Sequence, residues 1–436
     1  MRKRLTDELY LRCILLWRKA AGRRRPRHNA PSDRPRILVL PADLGDPVGS
    51  RGDQAMLSAT LATLRERFAS PSIAIATTDG KLNPSLRDHG ADRALTWPRH
   101  WSLAESWRLA RAFDLLVIIG ADMLDGAYDS KGSLRHLALA ERFAAWRGRD
   151  AVIVTGASFN KSPASIVRRF LERKLAPEFA VALRDPESLA RFGALAPGHG
   201  RLVADCAFLL RARETDTTRC VAQWIAGREE ARTVVGVNLH PLLARGDQKY
   251  SERLVTLFAD RLGAAIDAGG VAVCLLPHDF RDSGLGDVEL LGALAERIDR
   301  PDQVLHVTAP MAADELKAIT GKLDCLFSAR MHLAIAALGG GVPVAGIGYQ
   351  DKLEGLLAGH FGLPQSSILQ AVEATDARKF TEWFDAAITE RNARADLVRR
   401  NLPKVLELAV DNFRELAQQA PDCASHPACD RVPVVG

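Results

Sequence analysis

The apolar positions of this chain follow two rhythms. Short runs rich in Val, Ile and Leu recur at RILVLPAD (36–43), SIAIATTD (72–79), DLLVIIG (114–120), AVIVTGAS (151–158), FAVALRD (179–185) and RLVADCAFLL (201–210). Between them lie longer stretches of helical period, such as GDQAMLSATLATLRERF and SLRHLALAERFAAWRG. Unbroken apolar runs, as opposed to strict alternation, predict strands covered on both faces in a parallel sheet. Strands alternating with helices predict right-handed crossover units. The charged segment 211–232, RARETDTTRCVAQWIAGREEAR, has no strand character and interrupts the pattern. The alternation then restarts at TVVGVNLH (233–240), VAVCLLPHD (271–279), QVLHVT (303–308), DCLFSAR (324–330) and VPVAGIG (342–348). The expected fold class is therefore α/β, with two doubly wound, Rossmann-like domains, residues 36–212 and 230–418, facing a cleft. Residues 419–436 turn polar and Pro-containing and are expected to be a loose tail.

Charge changes the picture only at one end. The 436 residues carry a formal net charge of +6, with 47% apolar side chains. Residues 1–36 hold twelve Lys or Arg against three acids, so the body is close to neutral. A basic pI is thus a property of the leader and gives no reason to expect a nucleic-acid partner. The leader's apolar centre, Cys13 to Trp17, is too short for a transmembrane span. It lacks the small-residue cleavage site of a signal peptide. Residues 1–35 read either as a disordered start or as an amphipathic helix laying Leu9, Leu11, Ile14, Leu15 and Trp17 on an anionic membrane surface. The seven cysteines show no zinc spacing, and three of them (Cys206, Cys274, Cys325) sit in strand-like runs as small hydrophobes. This usage fits a reducing compartment, hence a cytoplasmic protein, with a peripheral position at the inner membrane face as the leader's contribution.

Ligands of doubly wound sheets bind beyond the carboxyl ends of the strands. The chemically able residues collect there. In SARMHLAIAALGGGVPVAGIGYQDK (328–352), Arg330 ends a strand, His332 lies in the first turn of a helix, and Lys352 follows the next strand. A helix start and a guanidinium both favour anions. Arg330, His332 and Lys352 are expected at one rim, around a small, multiply charged anion. In LGDPVGSRGDQ (44–54), a Gly-rich turn opens a helix; Gly52 admits close backbone approach, and Asp53 reads as a base or as an ordinary N-cap. In ALRDPESL, Asp185 and Pro186 start a helix, while Arg184 is expected to point into the cleft. His278, in LLPHD, reads as an acid/base group or as a loop histidine.

Together these motifs resemble the polysaccharide pyruvyl transferase family. The resemblance rests on Gly52-Asp53-Gln54, Arg184-Asp185, Pro277-His278-Asp279, Arg330-Met331-His332, Gly341-Val342-Pro343 and Tyr349-Gln350-Asp351-Lys352. It covers roughly residues 36–400, and the last block is the most specific. It implies a fold similar to the two-domain glycosyltransferase-B architecture. It also implies phosphoenolpyruvate as donor substrate, with no further cofactor and no metal. The acceptor would be a sugar of a cell-surface polysaccharide or its lipid-linked oligosaccharide precursor, on which a pyruvate ketal forms. Arg184, His332 and Lys352 match the family's donor residues, and Arg330 is expected beside them. Asp53 or His278 would activate the acceptor hydroxyl, and Gly52, Asp53, Asp122 and Ser158 would line the acceptor side. Two departures stand out: Gln54 replaces a usual Glu, and Gly120-Ala121-Asp122 replaces a usual glycine pair. The rival readings are a nucleotide-sugar-dependent glycosyltransferase and a non-catalytic scaffold of a polysaccharide assembly machine held by its leader.

Overall fold

The computed structural model describes residues 2–20, 34–98, 103–228, 233–244, 246–281, 286–348 and 352–417. Ten of the eleven runs read as strands form one, trimmed at their ends; of RLVADCAFLL only Arg201 and Leu202 are strand, and Cys206–Leu209 form a 3-10 turn. The first sheet contains β1 (Arg36–Leu40), β2 (Ser72–Thr77), β3 (Arg93–Thr96), β4 (Leu115–Ile118) and β5 (Val152–Val154) in the order β3-β2-β1-β4-β5, all parallel. Single bridges, Ala121 to Ala157 and Ala157 to Leu183, lead on to β6 (Val181–Leu183) and β7 (Gly200–Leu202). The second sheet contains β8 (Thr233–Asn238), β9 (Val271–Leu275), β10 (Val304–His306), β11 (Cys325–Ser328), β12 (Val344–Gly348) and β13 (Ile368–Gln370) in the order β10-β9-β8-β11-β12-β13. The strand order thus reverses in both sheets, between β1 and β4 and between β8 and β11, the place where doubly wound folds bind ligands. The strands without a sequence signal are β3 and β13. Both are short edge strands and make no long apolar run.

The apolar runs are buried as expected: β2 to its last five residues, and β8 throughout. One hydrophobic cluster joins the domains. Met56 and Leu57 of the Arg51–Arg67 helix and Phe208 of the first domain share it with Leu316, Ile335 and Leu338 of the second. The domains therefore meet on a packed base, with the strand ends opening above it.

Both chain ends depart from expectation. The leader is a helix, Arg2–Ala20, but its apolar face is turned inward. Tyr10, Leu11 and Ile14 are buried against the Ser130–Arg147 and Ser165–Leu171 helices, and Trp17 meets Trp107 edge-on at 5.8 Å. Leu9 and Leu16 remain exposed. Covering apolar helices of its own domain satisfies the same side chains that would have faced lipid. At the other end, the Arg391–Val410 helix leads back to the first domain. There the Asn412 amide donates to Ala204 O at 2.8 Å and accepts from Gly156 N at 2.7 Å, and Arg201 reaches Glu415 at 2.8 Å. Residues 411–417 thus pack on the first domain, although the sequence reading grouped them with the second. The expected tail, 419–436, lies outside the described residues.

Candidate functional site

Arg184 follows β6 directly and is almost wholly buried, at 5% exposure. Its guanidinium donates in three directions: Nε to Ser158 Oγ at 2.8 Å, Nη1 to Asp205 Oδ2 at 2.8 Å, and Nη2 to Asp122 Oδ1 at 2.9 Å. A buried guanidinium needs such partners, since an unpaired charge in the interior is very costly. Asp122 follows β4, and its other oxygen accepts from Lys352 Nζ, which comes from the second domain after β12. Burial works to raise the Asp122 carboxyl, but Arg184 and Lys352 outweigh it and hold the pKa below its usual value. Asp122 is carried by an unusual turn. Ala121 has φ +39°, a left-handed backbone that favours glycine, so this departure from the glycine pair is strained.

His332 stands in the first turn of the Met331–Gly339 helix, with Nε2 3.6 Å from Asp205 Oδ2. That is an ion-pair separation, longer than a hydrogen bond. Its other face presses on the Arg51–Arg67 helix: a Cβ on Gly52 would lie 2.4 Å from His332 Nδ1, so only glycine fits. Asp205, 3% exposed, also accepts from Ala207 N at 2.9 Å. Desolvation opposes its charge, yet His332 and Arg184 keep its pKa far below the carboxylate range. Asp53 sits one residue from Gly52. Ser50 Oγ donates to Asp53 Oδ2 at 2.8 Å and accepts from Asp53 N at 3.1 Å, so the N-cap of this helix is Ser50. Burial raises the Asp53 pKa, against the pull of Ser50 and His332.

Of the expected residues, Arg184, His332, Lys352, Gly52 and Asp53 are brought to one place between the domains. Arg330, two residues before His332, was expected to hold the anion beside them, and its guanidinium is instead paired with carboxylates of its own domain. Its Nη2 donates to Asp287 Oδ1 at 2.6 Å and lies 3.5 Å from Asp279 Oδ2. Asp287 also receives the backbone N–H groups of His278 and Asp279, at 3.0 and 3.1 Å. Arg330 thus neutralises a buried carboxylate of its own domain. Asp122 and Ser158 were expected to line the acceptor side, and instead both hold Arg184. His278 is buried, and desolvation, then Arg330 and His332, lower its pKa well below the usual histidine value. It lines a small cavity together with His332, Arg51 and Lys317. Gln54 faces away from the site. Its Oε1 accepts from Ala313 N at 3.0 Å across the domain boundary, and its Nε2 is 3.2 Å from His89 Nε2. Sequence reasoning missed Asp205. The one signal was an acid inside the apolar run RLVADCAFLL, where a strand buried on both faces has no place for a charge.

Two parallel doubly wound sheets facing each other across a polar cleft define the two-domain architecture of the glycosyltransferase-B class. Solved structures share it. HepE of Anabaena in complex with UDP-glucose aligns with a TM-score of 0.53 and 14% identity, over 88% of this chain and 99% of that one. The UDP-GlcNAc 2-epimerase of Neisseria meningitidis bound to UDP-GlcNAc aligns with a TM-score of 0.54 and 11% identity, over 88% and 100%. The chain itself belongs to the polysaccharide pyruvyl transferase family, whose model matches residues 51–351. Among curated proteins none matches the sequence.

Proposed function

We propose that the protein transfers pyruvate from phosphoenolpyruvate to two hydroxyls of a sugar in a surface polysaccharide or its lipid-linked precursor, giving a cyclic ketal and inorganic phosphate. One observation carries this reading. Arg184 and Lys352, from opposite domains, clasp a single carboxylate, with His332 linked to the same cluster through Asp205. Membership of the family supports it.

The chemistry requires four bond changes. A proton adds to the methylene carbon, making a methyl group and a cationic centre at C2. One sugar hydroxyl attacks C2 and loses its proton. The C2–O bond to phosphate breaks, and the second hydroxyl closes the ring with loss of its proton. Of the two protons released, one balances the methyl group and one leaves on phosphate. In this scheme Arg184 and Lys352 hold the donor's anionic groups by charge-assisted hydrogen bonds. His332 hands a proton to the departing phosphate. Asp53, its pKa raised by burial toward the working range of a base, takes the hydroxyl proton.

The reading includes a cytoplasmic location at the inner membrane face. Among the described residues no helix is long and apolar enough to cross a membrane. Exposed Leu9 and Leu16, on a helix with basic flanks, would supply the peripheral contact. Titration with phosphoenolpyruvate and with a panel of nucleotide-sugars, read by thermal shift, tests the donor. A shift with phosphoenolpyruvate that is absent in Lys352→Met is the expected result. A shift with a nucleotide-sugar alone would replace the reading by glycosyl transfer, and silence toward both would favour a scaffold.

A further inference from the structure

We propose that the Asp122 carboxylate is an internal competitor for the ligand anion, and that an incoming phosphate or carboxylate displaces it from between Arg184 and Lys352. The pyruvyl-transfer reading supplies only the identity of that ligand; the displacement requires no more than an anion.

Three observations lead there. First, Asp122 already makes the contacts a bound anion would make. One oxygen takes Arg184 Nη2 at 2.9 Å, and the other takes Lys352 Nζ. Second, the charges cancel. Arg184 and Lys352 are matched by Asp122 and Asp205, so neither cation offers a ligand an unmatched charge while all four groups are in place. One carboxylate has to leave before the two cations can hold a ligand. Third, burial singles out which one. The Asp205 side chain is 3% exposed and is tied to Arg184 and to Ala207 N. The Asp122 side chain is 25% exposed and rides on the turn that contains left-handed Ala121. Asp122, a quarter exposed, can turn to water and be solvated there, whereas Asp205 would be left buried without its partner. The exchange also replaces one link between the domains by another: Asp122 to Lys352 before binding, the ligand between Arg184 and Lys352 after it. Asp122 is therefore a specificity residue. It sets a threshold that an anion with several oxygens passes and a weakly bound monoanion does not.

The test uses the full chain and inorganic phosphate, followed by phosphoenolpyruvate. In a buffer free of multivalent anions, Asp122→Asn leaves the two cations facing each other, so its melting temperature falls below that of the wild type. Phosphate then raises it, with a dissociation constant about tenfold or more below the wild-type value, because a full competing charge is gone. Adding Lys352→Met to Asp122→Asn abolishes the gain. Unchanged or weaker phosphate binding by Asp122→Asn overturns the proposal, as does a gain that survives in the double variant. If Asp122→Asn does not fold, Lys352→Met alone decides: it must lose the phosphate-induced shift of the wild type, and an equal shift overturns the displacement. Tighter phosphate binding with phosphoenolpyruvate silent would uphold the displacement and retire the donor reading.

Discussion

Arg184 and His332, 148 positions apart and on opposite domains, approach the same oxygen of Asp205, at 2.8 and 3.6 Å. The shared oxygen is nearly inaccessible to water, so each group senses the other's charge at low dielectric. Both lie at carboxyl ends of parallel strands, and Asp205 serves as the hinge between the donor-side cations and the imidazole.

Removing Arg184 is the most severe change at this cluster. In Arg184→Ala, Asp205 loses its main partner while buried and Asp122 keeps only Lys352, and stability should drop by about 3–5 kcal/mol. Urea denaturation measures it. Arg184→Lys recovers little, because one ammonium cannot serve Ser158, Asp122 and Asp205 together. A loss below 1 kcal/mol in the alanine variant would show that the cluster is not closed in solution.

His332→Ala separates chemistry from folding. The side chain is 16% exposed and sits 3.6 Å from its carboxylate, so its loss should leave the circular-dichroism spectrum close to wild type with a modest fall in melting temperature. Phosphate release from phosphoenolpyruvate in the presence of acceptor should fall by about 100-fold or more, the usual contribution of a positioned acid. Retained release would remove His332 from the reaction.

Gly52 tests the fit between the domains. In Gly52→Ala the new methyl would come 2.4 Å from His332 Nδ1, so either the imidazole or the Arg51–Arg67 helix must move. A cost of about 1–3 kcal/mol is expected for such overpacking. The informative pairing is Gly52→Ala with His332→Ala: removing the ring should recover most of the loss.

Ala121 offers a gain. Its φ of +39° is one an L-residue adopts only with strain. Ala121→Gly should stabilise the protein by up to about 1 kcal/mol, the strain relieved less the extra freedom of glycine in the unfolded chain. Denaturant midpoints compare the two, and a destabilised glycine variant would contradict the strained turn.

Stability should fall on mild acidification. Burial, then Arg330, lowers the His240 pKa to about 3, and burial likewise pushes His278 well below the histidine norm. The folded state therefore keeps both rings neutral while the unfolded chain takes up protons near pH 6.5. The unfolded state binds more protons in that window, so stability declines as pH falls below 6.5, by up to about 1.4 kcal/mol per pH unit for each histidine. The lowered Asp122 and Asp205 add to the loss only near and below pH 4. A melting temperature independent of pH from 7.5 to 5.5 would show that these rings are hydrated.

The apolar rhythm alone marked nine of the eleven strands of the two sheets, together with β6 and β7, and placed Arg184, His332 and Lys352 at strand ends. Those properties are local: a buried parallel strand must be apolar throughout, and a helix must start where the next strand's crossover begins. Only the tertiary structure decided what each charge does. Arg330 looked like a ligand for anions and became the counter-ion of Asp287; Asp122 looked like a contact for a sugar and became the bridge between two cations; Gln54 looked like a lost base and became a tie to Ala313. The leader's apolar face likewise found its partner in its own domain. A charge or an apolar stripe announces that it needs a partner, but which partner depends on residues tens to hundreds of positions away, brought within 3 Å only when the sheets close on their shared core.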